Sequence, residues 1–357
     1  MKNRLTVALL WFGWVGCSSQ VPLDKSPCPC PTSLGYVCCG SGSTAMCVRP
    51  SAGENCDTGL IADSGVDASD AGPPVLSPIQ GIAIGHAHAC AVRQDMTVTC
   101  IGDNSKGQAT PPPGQFYGVV AGGDVTCGSK VDKSDITNNG RSVCWGDDTY
   151  GQTSPPDGVM YVTAIGARHA CGSDRDGNVI CWGDNSLGQA TPPAGAYSDL
   201  TAGRNHTCGV RRDGNNDPSV STGTIVCWGD NSLGQSTAPP IRVYLNGLHF
   251  VNAGGDHTCA TDQGNQVWCW GDHTGGQSTP PVGSFVSLAV GPGHACASSF
   301  IDYKVVCWGD DWGGATPTPP SGAYANLFAG DFLTCAWAND SSGRPVLCWG
   351  ATYEPWY

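Results

Sequence analysis

The sequence lacks long apolar segments and an excess of basic residues, two features that many membrane proteins and nucleic-acid-binding proteins carry. After one apolar run near the N-terminus, Leu5 to Gly16, no second run of about 18 apolar residues follows, so we expect no further membrane span. Lysine and arginine number 17 against 30 aspartate and glutamate, and the formal net charge is -13. Because a surface of this sign repels phosphate backbones, we expect no nucleic-acid partner.

Common catalytic motifs are also missing. There is no HExxH, no GxSxG and no phosphate-binding glycine loop, and no single group of nucleophile, base and orienting residue stands apart from the repeats described below. Catalysis needs such a singular arrangement. We therefore predict that the protein is not an enzyme and that it holds no cofactor and no metal. A hydrolase is the alternative that a catalytic cluster at the channel would support.

The N-terminus is typical of an exported protein. Residues 1–16 combine a basic start with a short apolar run, which predicts a signal peptide. Cys17 follows Val15 and Gly16 as in a bacterial lipobox, and this predicts lipidation of Cys17, a tether over residues 17–27, and a place on the outer membrane or cell surface. The alternative is cleavage a few residues later and secretion. We expect membrane contact only through this lipid anchor.

Two segments separate the tether from the rest of the chain. Residues 28–56 are rich in cysteine and poor in apolar residues, so disulfides would have to stabilise them, although zinc binding is an alternative. The sequence does not determine the connectivity of these cysteines. They are Cys28, Cys30, Cys38, Cys39, Cys47 and Cys56. Residues 57–74 are acidic and rich in Gly, Pro and Ser, and they predict a flexible linker.

The remainder, residues 75–357, is built from seven copies of one unit. CWGDNSLGQ occupies residues 181–189 and recurs unchanged at 227–235, and looser copies follow the same pattern. Each unit has a glycine five positions before its first cysteine and turn residues between its two cysteines, and no helical period is present. These features predict an all-β fold, a seven-bladed β-propeller with short, mostly three-stranded blades.

Each unit contains two cysteines that the pattern places on neighbouring strands of one hairpin, where they can form a disulfide. We therefore predict seven disulfides within blades. The predicted pairs are Cys90–Cys100, Cys127–Cys144, Cys171–Cys181, Cys208–Cys227, Cys259–Cys269, Cys296–Cys307 and Cys335–Cys348. Without Cys17, the chain keeps 20 of its 21 cysteines, an even number that suits an oxidising compartment.

Three other residue types recur, and each has a structural and a functional interpretation. Tryptophan follows the second cysteine in six units, which favours packing between blades over ligand binding. Histidine stands two positions before the first cysteine in five units, and apolar residues replace it in the other two. This pattern favours a hydrogen bond to turn backbone over a ring of metal ligands. Aspartate follows TrpGly or its equivalent in six units and favours a capped turn.

Loop length breaks the symmetry of the repeats. Longer segments occur at Lys130 to Arg141, at Arg211 to Gly223 and at Ile241 to Phe250. Loops on a rigid scaffold often carry binding sites, and tyrosine and arginine are frequent interface anchors. Neutral insertion is the alternative. The candidate partner-binding residues are Arg211, Arg212, Arg242, Tyr244 and His249.

The units, GxxHTC followed by GxVxCWGDNxxGQ, resemble the regulator of chromosome condensation repeat, which builds seven-bladed propellers. The resemblance covers Ile79 to about Gly350. It implies the fold more firmly than the function. We expect a monomeric, non-catalytic extracellular module that binds a protein. The alternatives are a carbohydrate-binding propeller, which exposed tryptophans in several blades would support, and an inhibitor of a secreted enzyme.

Overall fold

The computed structural model describes residues 79–131, 141–157, 161–174, 178–212, 222–245, 251–310, 319–331, 333–339 and 346–350, together with the backbone of 37–39 and 46–48. The chain divides into two compact units, Met1–Val75 and Leu76–Tyr357. No helix in the described part of the chain is long and apolar enough to cross a membrane.

The first unit contains one antiparallel strand pair, β1 (Val37–Cys39) and β2 (Met46–Val48). In this pair Cys38 lies opposite Cys47. Cys17, Cys28, Cys30 and Cys56 lie outside the described residues, so the lipidation of Cys17 and the connectivity of the N-terminal cysteines stay predictions.

The second unit contains seven antiparallel sheets, each made of strands that are consecutive in the sequence. The first strand of every sheet lies next to the central cavity. These inner strands are β3 (Ile79–Ile84), β6 (Phe116–Gly122), β9 (Tyr161–Ile165), β12 (Tyr197–Ala202), β16 (Val251–Gly254), β19 (Phe285–Val290) and β22 (Tyr324–Ala329).

The second strand of every sheet is the most buried, because it is covered by its own sheet and by both neighbouring blades. These middle strands are β4 (His88–Arg93), β7 (Val125–Lys130), β10 (His169–Ser173), β13 (His206–Arg212), β17 (His257–Thr261), β20 (His294–Ser299) and β23 (Leu333–Ala338).

The third strand of every sheet contains the second cysteine and its tryptophan or isoleucine. These outer strands are β5 (Val98–Gly102), β8 (Ser142–Gly146), β11 (Val179–Gly183), β14 (Thr222–Gly229), β18 (Val267–Gly271), β21 (Val305–Gly309) and β24 (Val346–Gly350). Blade 4 alone adds a fourth described strand, β15 (Arg242–Tyr244). The prediction of an all-β, seven-bladed propeller with mostly three-stranded blades is therefore confirmed.

The ring closes between the first and the last blade without exchanging strands. Each inner strand contacts the inner strand of the next blade, and β22 of blade 7 contacts β3 of blade 1. At this seam a Cβ on Gly330 would lie 2.8 Å from the carbonyl oxygen of Gly85 and 2.3 Å from Cγ2 of Ile84. Glycine is therefore required at Gly330 because only a residue without a side chain permits this approach.

The hydrophobic core lies between blades and is centred on the disulfides. In every blade the two cysteines are direct register partners, and all seven predicted disulfides are present in the structure. Each recurring tryptophan packs toward the disulfide layer of the preceding blade; Trp145, for example, joins a cluster with Cys90 and Phe116. Small blades thus share one core with their neighbours, as the sequence interpretation of packing between blades predicted.

Candidate functional site

The recurring histidines form hydrogen bonds between blades. The Nε2 atom of His169 lies 2.8 Å from Oγ1 of Thr207 in the next blade, and His206 makes the same contact with Thr258 at 2.7 Å. His88 with Thr126 and His294 with Thr334 complete the set at 2.7 and 2.8 Å. For these four histidines the threonine of the neighbouring middle strand is the partner, whereas we expected turn backbone; His257 has a backbone hydrogen bond with Pro292 in the turn of the next blade.

The direction of these bonds follows from a second contact of the threonine. The hydroxyl of Thr207 donates to the carbonyl oxygen of Gln189 at 3.1 Å, so it accepts from the Nε2–H group of His169. Burial lowers the pKa of His169 to about 4, so the ring is neutral near pH 7 and carries its one proton on Nε2, the donor of this bond. We call this contact the His–Thr bridge. Among the described residues, no group of three or more His, Cys, Asp or Glu could hold a metal ion.

The two blades without histidine show a matching change in the following blade. Val125 replaces histidine in blade 2, and Ala170 replaces threonine in blade 3. Leu333 and Ala89 form the corresponding pair across the blade 7 to blade 1 seam. A buried threonine without its histidine would keep the bond to the glutamine carbonyl but lose its hydrogen-bond donor, and a histidine without its threonine would lose its acceptor. His257 is the exception, because Ala295 stands where its threonine would be.

The recurring aspartates stabilise their own turns. Asp103 accepts hydrogen bonds from the backbone N–H of Ser105 at 3.0 Å, from the hydroxyl of Ser105 at 2.8 Å and from Nε2 of Gln108 at 2.9 Å. These bonds lower the pKa of Asp103, the bond from the Ser105 side chain having the largest effect. Gln108 is fully buried, and its backbone carbonyl oxygen accepts a hydrogen bond from the indole N–H of Trp145 at 2.9 Å. The geometry agrees with the capped-turn interpretation of these aspartates.

Five of the six recurring tryptophans are buried, and the sixth, Trp308, is half-buried. Trp145, Trp182, Trp228, Trp270 and Trp349 are all 6 to 8% exposed. Their indole N–H groups, where the structure gives a partner, donate to a glutamine carbonyl of the preceding connection. Exposed tryptophans in several blades would support a sugar-binding propeller, and these tryptophans are not exposed.

A cavity of about 690 Å³ opens at the centre of the ring. The seven recurring glycines line it: Gly85, Gly122, Gly166, Gly203, Gly254, Gly291 and Gly330. The turns that follow these glycines and the aspartate turns lie at one end of the ring, since backbone hydrogen bonds such as that from Asp184 to Arg168 join them. We call this end the mouth face.

Charged residues on the mouth face pair between neighbouring blades. His86 of blade 1 contacts Asp331 of blade 7, and Arg204 Nη1 of blade 4 lies 3.5 Å from Asp256 Oδ2 of blade 5. Burial raises the pKa of both aspartates. These two pairs join blade 7 to blade 1 and blade 4 to blade 5.

Sequence reasoning missed an apolar arc on the mouth face. Tyr150, Leu187 and Leu233 are 42, 50 and 49% exposed and occupy the same turn position in blades 2, 3 and 4. The guanidinium carbon of Arg168 lies 4.9 Å from the centre of the Tyr150 ring. Blades 1 and 5 have Lys106 and Gly275 at this position. A comparison of the sixth residue after the second cysteine in each repeat would have revealed the arc from the sequence.

Four of the five candidate partner-binding residues lie on two strands of blade 4: Arg211 and Arg212 end the middle strand β13, and Arg242 and Tyr244 lie on the outermost described strand β15. Arg211 pairs in register with Thr224, and Thr224 pairs with Arg242, so the three residues form one row across β13, β14 and β15. Tyr244 follows Arg242 by two residues and therefore faces the same side of the sheet. Arg211, Arg212 and Arg242 are exposed, and Tyr244 is 45% exposed. His249 and residues 132–140 of the second-blade insertion lie outside the described residues.

The fourth strand itself is firmly packed. Val243, between Arg242 and Tyr244, is fully buried and joins Val210, Ile225, Val251 and Trp270 in one cluster. The segment Ile241 to Phe250, interpreted as a connection from the sequence, thus contains a strand. We call the set Arg211, Arg212, Arg242 and Tyr244 the blade-4 edge.

Comparison with known proteins identifies the repeat. Residues 163–189, 197–235 and 249–277 match the family model of the regulator of chromosome condensation (RCC1) repeat. These three segments are regulator of chromosome condensation repeats. The matched segments fall in blades 3, 4 and 5 and contain the His–Thr bridges from His169 and His206. The type of RCC1-repeat protein that we predicted, an exported bacterial lipoprotein, stays a prediction.

Solved structures share the fold. The ectodomain of the receptor kinase CR4 from Physcomitrella patens is 26% identical over 78% of this chain and 75% of that chain, with a TM-score of 0.59. The CRINKLY WD40 ectodomain of the Arabidopsis thaliana receptor kinase ACR4 is 26% identical over 77% of this chain and 96% of that chain, with a TM-score of 0.58. Prp20p from Saccharomyces cerevisiae is described with its binding properties to Gsp1p and histones. It is 17% identical over 67% of this chain and 73% of that chain, with a TM-score of 0.53, and this likeness shows the fold alone.

Proposed function

We propose that this RCC1-repeat protein is an exported, non-catalytic propeller that binds another protein through the blade-4 edge. The observation that carries the proposal is the row of Arg211 and Arg242 beside Tyr244 on the one blade with a fourth described strand. In the part of the chain that the structure describes, the other six blades have three strands each, so the fourth strand at this edge departs from the common design.

The chemistry of the edge favours a protein partner. Arginine and tyrosine are enriched among the residues that dominate binding energy at protein interfaces. Here they stand on packed strands, so little ordering entropy is lost on binding. Similar propellers occur in the ectodomains of two receptor kinases, and Prp20p, which has the same fold, is described with its binding properties to Gsp1p and histones. That likeness supports a protein-binding role for this chain.

Export is part of the proposal. Seven disulfides within the blades suit an oxidising compartment, and the N-terminal run up to Gly16 has the pattern of a signal peptide. We propose that lipidation of Cys17 then holds the protein on a bacterial surface. Inhibition of a secreted enzyme would be one form of the same binding role, and a captured hydrolase would identify it.

Partner capture tests this function. The mature chain, immobilised with its disulfides intact, is exposed to envelope and culture extracts, and half of each extract is treated with periodate to destroy glycans. We expect a small set of proteins that survives periodate and is lost with the variant R211E/R242E. The matched control K106E/K304E makes the same change in net charge on blades 1 and 6 and should retain them. Loss of all capture after periodate would contradict protein binding and favour the carbohydrate alternative.

A further inference from the structure

The outer edge of β15 is open among the described strands. The sheet order in blade 4 is β12, β13, β14, β15, and β15 pairs with β14 through Thr222–Tyr244, Gly223–Val243 and Thr224–Arg242. On its other side, no strand of the described chain pairs with it. The backbone groups on the free side of an edge strand can form a ladder with an added strand.

This edge is held in strand geometry before any partner arrives. Val243 is fully buried against Val210, Val251 and Trp270, and this contact fixes the middle of β15. Arg242 and Tyr244 alternate with it and are exposed. A partner strand would therefore meet a preorganised edge, which reduces the entropy lost on binding.

The charged residues on the outer three strands of blade 4 are all basic. The strands β13, β14 and β15 contain Arg211, Arg212 and Arg242 and no acidic residue. The outer strands of the other six blades contain no charged residue of either sign. Among the described strands, β15 is thus the only outermost strand with a charged residue, Arg242, in a molecule whose formal net charge is -13. The middle strands of blades 1 and 2 also end in a basic residue, Arg93 and Lys130.

From these observations, and resting on the proposed function, we infer that the blade-4 edge accepts an acidic, extended polypeptide segment as an added fifth strand next to β15. The Cβ atom of an acidic residue opposite Arg242 would lie about 5 Å from the Cβ atom of Arg242 on the same face, the spacing of cross-strand charge pairs. A residue opposite Val243 would point to the other face. A second copy of this chain is disfavoured because pairing two such edges would bring both sets of arginines together.

Labelled peptides test the inference by fluorescence anisotropy on the full mature chain. The probe is a nine-residue peptide of alternating Thr and Glu, and its counterparts replace Glu by Lys or carry N-methyl groups on the odd or the even residues. We expect the acidic peptide to bind at least tenfold more tightly than the Lys peptide. Because only one side of a strand faces β15, one N-methylated version should lose binding and the other should retain it.

Variants locate the binding. R211E/R242E should weaken the acidic peptide at least tenfold, whereas K106E/K304E, with the same net charge, should leave it within about twofold. Equal binding of acidic and Lys peptides, equal binding of both N-methylated versions, or equal loss in the two variants would overturn the inference. Binding of a single-stranded DNA oligonucleotide as tight as that of the acidic peptide would also overturn it and indicate a general anion site.

The two proposals fail in different ways. If acidic peptides bind β15 but no protein is captured from the extracts, the strand-addition inference stands and the proposed function is wrong. If R211E/R242E abolishes protein capture but no acidic strand peptide binds, the proposed function stands and the strand-addition inference is wrong.

Discussion

At the scale of single residues, the molecule depends on polar contacts that join one blade to the next. The ring of His169 and the hydroxyl of Thr207 are both fully buried, so each needs the other as a hydrogen-bond partner. At the interface between blades 2 and 3, the apolar pair Val125 and Ala170 replaces the histidine and the threonine. A His–Thr pair and a Val–Ala pair both satisfy the hydrogen-bonding groups at the interface, whereas a pair of one polar and one apolar residue leaves a group with a partner missing.

A double-mutant cycle at one bridge tests this account. T207A should destabilise the protein by about 1–3 kcal/mol, because it leaves the buried Nε2–H of His169 without an acceptor. H169V should likewise leave the hydroxyl of Thr207 with one partner fewer. The double variant H169V/T207A copies the natural Val125 and Ala170 pair and should cost less than the sum of the two single changes. Urea unfolding measures all four proteins, and additive losses would contradict the coupling.

The exception at blade 5 gives the reverse prediction. Ala295 leaves His257 without the threonine hydroxyl that four other histidines have. A295T should supply it and stabilise the protein by about 1 kcal/mol. The same change at Ala170, which faces Val125, buries a hydroxyl without a histidine and should destabilise the protein. Thermal melts of the two variants compare the sites directly, and a loss of stability in both would contradict the bridge.

Acid should weaken the same interfaces. Burial lowers the pKa of His88, His169 and His257 to about 4 and that of His206 to about 3, below the value of about 6.5 in an unfolded chain. The unfolded state therefore binds protons first as pH falls, so stability is complete above pH 6.5 and declines toward pH 4, by up to about 1.4 kcal/mol per pH unit for each histidine. Urea unfolding at pH 7, 6 and 5 measures the slope, and H169V/T207A should reduce it.

At the scale of strands and blades, each hairpin is fixed by a disulfide between register partners. Cys171 and Cys181 enclose a sequence separation of 10, and Cys208 and Cys227 a separation of 19. In the chain-entropy model each contributes about 3 kcal/mol, slightly more for the longer loop. The disulfides also form the surface against which the tryptophans of the next blade pack.

Removal of one disulfide should therefore affect two blades. C171A/C181A should lower the free energy of unfolding by about 3 kcal/mol or more and should increase hydrogen exchange in β10, β11 and the facing strand β12 of blade 4. Mass spectrometry of exchanged peptides measures this spread. An increase confined to blade 3 would contradict a core that is shared between blades, whatever the loss of stability.

At the scale of the whole molecule, the fold could be predicted because one unit is written seven times. The spacing of glycine, cysteine pair and aspartate turn gave the number of blades, and the turn bonds of Asp103 are local enough to be read from the sequence. The partner of each histidine was not predictable in this way, since Thr207 lies 38 residues after His169 and meets it only when the ring forms.

The candidate site was predicted in part. Arginine and tyrosine residues at the blade-4 edge stood out in the sequence, but Arg242 to Tyr244 were interpreted as part of a connection. Three residues are too few to show the alternating pattern of a strand, and β15 forms because these residues pair with β14. The apolar arc of Tyr150, Leu187 and Leu233 was missed because its members are separated by whole repeats.

Site-specific photo-crosslinking tests the central claim, protein binding at the blade-4 edge, most directly. A benzophenone side chain is placed at Tyr244, at Leu187 on the mouth face and at Leu347 on blade 7, three positions of similar exposure. The mature protein is irradiated in the same extracts. We predict a defined protein adduct from position 244 and none from 187 or 347. An adduct from position 187 or 347 without one from 244 would contradict the account and place binding elsewhere on the propeller.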